Sequence, residues 1–455
     1  MAQKPDFIVR GEPARLFPVL ADTSKEGRTL SIFLACLESV GGFGRALLSG
    51  LGLKIGTRGR ISTFTEVVLA KSPADAKHRP DGLIVVNTGK SIWTALVEAK
   101  VGASELTNAQ IETYLSLAKL NGIDAVITLS NQFTPLPTHH PLTVSSVLTR
   151  KVALFHWSWG NVITQAHLLQ ELGQVDDREQ LILLSELRRF LLHPSSGVKE
   201  FDQMPAAWSE LCESVAAGGV INGKSQQCQD VVGSWHQLLD QITTVMSRQV
   251  NNQVQVSLGR AEATDPTERL KKASAILAKD VCLAADILVP NAAAPMQVSA
   301  DFRKRVVSVS MRLRAPSDRK STKARLSWLL KQLSAADLKD LHIRLFWPGR
   351  GKATQYPLAM LATNPEIVTD ERPGMVVVSF EVLLVRELGA KFAQRKIIVA
   401  ELVNSASLFY ACVGERLTAW QPKPAKIAEG KLEPSSVSTE VLRDEAEHEA
   451  LERAG

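Results

Sequence analysis

Cysteine is sparse and scattered. The five thiols (Cys36, Cys212, Cys228, Cys282 and Cys412) form no CxxC pair, so neither a zinc site nor a disulfide framework is indicated. No run approaches the roughly 18 apolar residues that a membrane span needs. The opening MAQKPDFIVRGEPARLF lacks the apolar core of a signal peptide. No GxxxxGK[ST] occurs and no clean GxGxxG follows a strand, which argues against a nucleotide-cradling loop. His139 and His140 lie in the proline-rich FTPLPTHHP with no spaced carboxylate or cysteine partner. No Ser-His-Asp or Cys-His arrangement can be argued from local sequence. These absences predict a cytoplasmic protein with no membrane partner.

What is present suits an ordinary globular chain, 45% hydrophobic and 22% charged, and at 455 residues too long for one core. A break at His193-Pro194-Ser195-Ser196-Gly197 predicts one domain over 1–200 and a second α/β domain over 206–422. From 423 the chain is rich in proline, serine and glutamate and is expected to be a flexible acidic tail. Residues 431–455 carry three basic and seven acidic side chains, a net −4, which leaves 50 basic against 40 acidic, or +10, for the rest. A basic body fits a polyanionic partner.

Residues 26–50 read as helical, with Ile32, Phe33, Cys36, Leu37 and Val40 spaced for one buried face. The glycine-rich stretch that follows carries Arg45, Lys54, Arg58 and Arg60, and reads equally as a basic loop near a phosphate backbone or as a solvated connector. Runs 83–86 and 92–97 read as strands joined by a turn at Asn87-Thr88-Gly89-Lys90. A helix after Glu105 should stop at Asn121-Gly122. Runs 125–129 and 151–159 read as strands, and 161–192 as mostly helical. This order suits a mixed sheet flanked by helices. Beyond the break, helices are expected over 206–217, 225–249, 322–333 and 396–413. Strands are expected over 305–314, 341–346 and 375–384.

One run carries chemistry: RPDGLIVVNTGKSIWTALVEAKVGASELTNAQIETY, residues 79–114 with Arg79 and Tyr114 at its ends. It sets Asp81 at the start of one strand and Glu98-Ala99-Lys100 at the end of the next. Phosphodiester hydrolysis needs an activated water and relief of charge on the transition state. A hard cation such as Mg²⁺ supplies both, and takes oxygen ligands from one or two carboxylates. Asp81 and Glu98 would supply them, with the Ala99 carbonyl as a third oxygen. Glu98 and Lys100 are two apart on an extended strand, so they leave the same face and Lys100 would stand beside the metal. The competing reading is an edge hairpin with a surface Glu–Lys pair, because Thr107-Asn108-Ala109-Gln110 also reads as a capping box.

This pattern resembles the PD-(D/E)XK nuclease superfamily, with Pro80-Asp81 as the PD and Glu98-Ala99-Lys100 as the (D/E)XK. Gln110-Ile111-Glu112-Thr113-Tyr114 is similar to the QxxxY motif of its RecB-like branch. The resemblance spans roughly residues 26–160. It implies a restriction-endonuclease-like mixed sheet flanked by helices, Mg²⁺ or Mn²⁺ as cofactor, and hydrolysis of nucleic acid. Asp81, Glu98, Lys100, Gln110 and Tyr114 are then the implied catalytic set. It also implies an acidic residue from a preceding helix, for which Glu66 in STFTEVVL is the match, although TFTEVVL reads equally as a strand. The metal ligands expected are therefore Asp81, Glu98 and Glu66.

The second half offers charge rather than chemistry. Between Arg303 and Arg325 lie nine basic residues against Asp318 alone. Val307, Val309, Met311 and Leu313 alternate with Ser308, Ser310, Arg312 and Arg314, so the two arginines share a strand face. Arg312, Arg314, Arg319, Lys320 and Lys323, with Arg350 in WPGRGK beside Trp347, are the expected nucleic-acid contacts. The whole predicts a metal-dependent nuclease acting on DNA, in defence against foreign DNA or in DNA processing, held in check by a protein partner or an oligomer. The alternative is an inactive nuclease-like protein that only binds nucleic acid or assembles on it.

Overall fold

The computed structural model describes residues 5–17, 25–71, 79–334, 340–349 and 351–422, apart from the side chains of 370 and 371. Two β-sheets, each flanked by helices, organise a mixed α/β architecture. The expected tail over 423–455 and Arg350 lie outside the described residues.

The first sheet runs in chain order: β1 (Ile8–Pro13), β2 (Arg60–Leu69), β3 (Gly82–Asn87), β4 (Ile92–Ala99), β5 (Ala125–Ser130) and β6 (Ala153–Ser158). β1 to β4 pair antiparallel, whereas β4–β5 and β5–β6 pair parallel. β3 is buried along Gly82–Val86, as its unbroken Leu-Ile-Val-Val run demands of a strand covered on both faces. The turn between β3 and β4 uses Gly89 at φ 84, a conformation glycine adopts without strain.

Alternation along the strands sends two sets of side chains to opposite faces. Ile84, Val97 and Ile127 meet Phe33 and Leu34 of helix α1 (Lys25–Ser39), together with Trp157, Trp159 and Leu184. Leu83, Leu96 and Val126 meet Ile111, Tyr114 and Leu115 of helix α3 (Asn108–Asn121). Trp157 and Trp159 are buried there and pack edge-on to Phe33. The single helix expected over 26–50 is instead two. α1 ends at Ser39, and α2 (Gly41–Ser49) leaves it at 102°. Gly44 permits the corner, since a Cβ there would overlap the Leu37 carbonyl oxygen.

The second sheet is antiparallel throughout, in the order β12 (Thr354–Pro357), β11 (Leu341–Phe346), β13 (Ser379–Glu387), β10 (Val306–Arg314), β9 (Met296–Asp301), β8 (Cys282–Leu288) and β7 (Gln255–Val256). Its hydrophobic cluster, from Met204 to Leu417, is separate from those of the first sheet. The alternation predicted for β10 holds, with Val307, Val309, Met311 and Leu313 buried. The strand expected from 375 begins at Ser379, and β8, β9 and the Pro266–Asp280 helix were not among the expected elements, although Asp265-Pro266 with Glu268 is a helix-start signal. One expectation needs correction. Arg395–Gly414 is long and apolar enough to cross a membrane (mean hydropathy 1.6), as are α1 and α2 if taken as one bent element. Half of the Arg395–Gly414 segment is buried, and it packs on β10 and the Gln226–Val250 helix. A half-buried helix of the fold's core can be equally apolar.

The two sheets are linked by the segment after β5. The Gln237 side chain accepts from the Phe133 N–H at 2.5 Å and donates to its carbonyl at 2.8 Å, in the manner of a strand partner. His139 Nε2 reaches the Ala263 carbonyl at 2.8 Å.

Candidate metal centre

The hairpin and the parallel strand beside it converge on one end of the first sheet. Asp81 immediately precedes β3, Glu98 lies near the end of β4 and Lys100 just beyond it. Gly82 pairs with Val97 in the antiparallel register, which brings the Asp81 end of β3 against the Glu98 end of β4. Asp81 Oδ2 accepts the Ala99 N–H at 3.0 Å. Ala99 thus contributes its amide to the site. The Lys100 backbone is fixed on both sides: its N–H donates to Leu129 O at 2.8 Å, and its carbonyl accepts from Trp159 Nε1 at 2.9 Å.

The third carboxylate is Glu26, in the first turn of α1, not Glu66. Ligand oxygens of Glu26, Asp81 and Glu98 all lie within 4.8 Å of one another. Glu66 stands on β2, where the pairing with β1 slips by a bulge. Its φ of 54° there turns it outward, and its carboxylate meets Arg10 at 3.6 Å. The acidic residue that comes from a helix is Glu26 of α1, whereas Glu66 lies on a strand. Glu26 carried a signal, an acidic residue opening an amphipathic helix, which fits the helix dipole so well that it needs no chemical explanation.

Lys100 Nζ bridges the group, donating to Glu98 Oε1 at 2.5 Å and Glu26 Oε1 at 3.0 Å. Gln110 Nε2 donates to the same Glu98 oxygen at 2.5 Å. This distinguishes the two readings of TNAQ. Thr107 caps α3 by accepting the Gln110 N–H, yet the Gln110 side chain turns to Glu98 instead of closing a capping box. Tyr114, one turn on, lies 3.4 Å from Gln110 Nε2 and donates to Arg79 O at 3.1 Å, which steadies the segment entering Asp81.

The electrostatics are lopsided. Glu98 is 1% exposed, and its Oε2 is buried with no hydrogen-bond partner. An orphaned carboxylate oxygen in that environment is costly unless a cation satisfies it. Burial first, and the nearby Glu98 charge second, push the Asp81 carboxyl up to about 8, against the Ala99 N–H and Lys100. Burial disfavours charge on Lys100, but its bonds to Glu98 and Glu26 outweigh that and hold the ammonium above its usual range. Burial likewise raises the Tyr114 hydroxyl, which stays protonated and able to donate. A site with three carboxylates and one lysine has room, in charge, for a divalent cation.

The other candidates fall away from this centre. Arg60 pairs with Asn87 at the far end of β3. Arg60, which opens β2, therefore stands about 20 Å from Asp81, at about 3.3 Å per strand residue; Arg45 is on α2, and of the four only Lys54 and Arg58 lie in the connecting loop. His139 is spent on Ala263, and His140 and His156 both bond Thr128 Oγ1, at 3.0 and 2.8 Å. Burial keeps that histidine pair neutral, at about 4 and about 3.

The expected nucleic-acid surface is partly consumed internally. Arg312 bonds Ser379 and stacks over Phe346 at 3.7 Å; Arg319 and Arg325 bond backbone carbonyls; Lys323 pairs with Glu366. Arg312, Arg314, Lys320 and Lys323 are nevertheless exposed, and of these Arg314 and Lys320 have no such partner among the described residues. Trp347 is not the stacking platform its setting implied, being 4% exposed with its indole N–H on Thr354. Comparison with known proteins adds no relative: no family model matches the chain, and no curated protein matches it.

Proposed function

We propose that this protein is a divalent-metal-dependent nuclease that hydrolyses phosphodiester bonds in DNA. The single observation that supports this reading best is the meeting of Glu26, Asp81, Glu98 and Lys100, with one deeply buried carboxylate oxygen left unpartnered. Mg²⁺ or Mn²⁺ fits that oxygen-rich donor set, and the six strands that carry it are read as a restriction-endonuclease-like core. When bound, such a cation would activate water and polarise the phosphate.

The chain's own residues do the rest. Glu26 and Glu98 supply the negative charge that draws a cation to this end of the sheet, and Asp81 would join them by giving up its proton as the cation binds. Lys100 holds its proton and stabilises negative charge developing on the phosphate oxygens. Gln110 fixes the Glu98 carboxylate by its bond to Oε1, and Tyr114 positions the strand entry that bears Asp81. The exposed Arg314 and Lys320, on the basic second half, contact the nucleic-acid backbone. A protein partner or self-association restrains the activity, and defence against foreign DNA or DNA processing is the setting in which it serves.

The test is cleavage of supercoiled, linear and single-stranded DNA and of RNA, with Mg²⁺, Mn²⁺ or EDTA, beside Asp81→Ala and Lys100→Ala. Metal-dependent cutting of DNA that both variants lose is the expected result. Cutting that survives both substitutions would overturn the assignment. Salt-sensitive binding without any cutting would favour the non-catalytic alternative.

A further inference from the structure

A second buried charge group, remote in sequence from the carboxylates, is left incompletely satisfied. Arg269, on the Pro266–Asp280 helix, is 7% exposed, and its Nη1 stands 4.0 Å from Asp240 Oδ2 on the Gln226–Val250 helix. That gap is too wide for a hydrogen bond. Arg269 Nη2 and Asp240 Oδ2 are both buried without a hydrogen-bond partner. The Asp240 carboxyl is correspondingly held up at about 6, because burial outweighs the distant guanidinium. A buried ion pair repays its desolvation only with close geometry and full hydrogen bonding. This one has neither.

Arg269 borders a cavity of about 190 Å³, walled by Trp235, Leu239, Val256, Leu258 and Ile276. The other charged groups of the lining are already matched. Glu262 accepts from Lys272 Nζ at 2.9 Å and from the Gly259 N–H at 2.6 Å. Asp286 accepts from Gln297 at 3.0 Å. Burial, with the Arg269 charge, keeps His236 neutral. Among the described residues, Arg269 is thus the cationic lining group still lacking a hydrogen-bonded counter-ion, since Lys272 pairs with Glu262.

We infer that this cavity binds a small organic carboxylate, whose charged end is received by Arg269 and whose carbon body lies on Trp235, Leu239 and Ile276. A guanidinium donates strong, charge-assisted hydrogen bonds to a carboxylate. The small size of the space suits a short acid. The apolar wall favours an organic acid over inorganic phosphate, which would leave that wall bare. The lining elements also touch the first sheet's 131–140 segment. Gln237 shares the helix of Trp235 and Leu239, and Ala263 adjoins Glu262.

The test uses the full chain. Acetate, pyruvate, succinate and glutamate are titrated to about 10 mM against matched chloride, with inorganic phosphate as a separate arm, reading melting temperature and heat of binding. At least one of the four acids should bind saturably and raise the midpoint by about 2 °C or more, while phosphate does not. The shift should vanish in Arg269→Gln. It should also vanish in Ala284→Phe, which fills the cavity from an exposed strand position and leaves the charge pair intact. No saturable shift with any acid, a shift that persists in Ala284→Phe, or an equal response to phosphate would overturn the inference.

Discussion

At the scale of single residues, one acidic side chain decides the candidate metal centre. Glu26 lies with Asp81 and Glu98, whereas Glu66 faces Arg10 on the sheet's outer strands. Glu26→Ala should therefore slow DNA cleavage by about 10- to 100-fold, a loss of the size seen when groups around a metal are removed. Glu66→Ala should leave cleavage unchanged, and a gel-based rate comparison of the two decides it. A second consequence concerns pH. Folded Asp81 keeps its proton to about 8, while the unfolded chain releases it near 3.8. Between those values the folded state binds more protons, so the metal-free protein should lose stability as pH rises from about 4 to 8. Thermal unfolding in EDTA across that range should show the decline, and Asp81→Asn should flatten it.

Most of the site was legible in the sequence because most of it is local. Asp81, Glu98, Lys100, Gln110 and Tyr114 come from one hairpin and the helix after it, where strand alternation and the helical repeat fix who faces whom. Glu26 was not, because its approach depends on how α1 crosses the sheet. Glu66 misled because a β-bulge reverses its direction, and bulges leave little trace in a pattern of apolar and polar residues. The status of Gln110 was open for a different reason. The same amide serves a capping box or a site, and only its bond to Glu98 distinguishes them.

At the scale of elements, the decisive feature is the corner between α1 and α2. The apolar spacing of 26–50 is continuous, so periodicity alone reads one helix; the break at Val40 follows from packing. Gly44 sits where α2 touches the last turn of α1, with Leu37 O in the way of any Cβ and Ile61 Cδ1 2.6 Å from its position. Gly44→Ala should cost about 1–3 kcal/mol, as overpacking typically does. Chemical denaturation of the two proteins measures it. Because α1 also carries Glu26, cleavage should fall in parallel. In the second sheet, β10 was readable from its alternation, but its polar side is less open than expected. Ser310 bonds Glu381, which in turn pairs with Arg344. Separately, Arg312 is occupied by Ser379 and Phe346, and Arg319 by the Ala324 carbonyl.

For the whole molecule, the two sheets have separate hydrophobic clusters but share the bonds of Gln237 and His139. Gln237→Ala should remove both bonds to Phe133, leave its backbone groups unpaired, and cost about 1–3 kcal/mol. Scanning calorimetry should then show the unfolding of the two halves drawn further apart in temperature. The central claim, that the Glu26–Asp81–Glu98 group holds a divalent cation, is tested most directly by calorimetric titration of Mn²⁺ into the parent protein and into Glu98→Gln. The account predicts saturable binding to the parent that weakens at least about 10-fold in the variant. Equal binding by both proteins, or none by the parent, would contradict it.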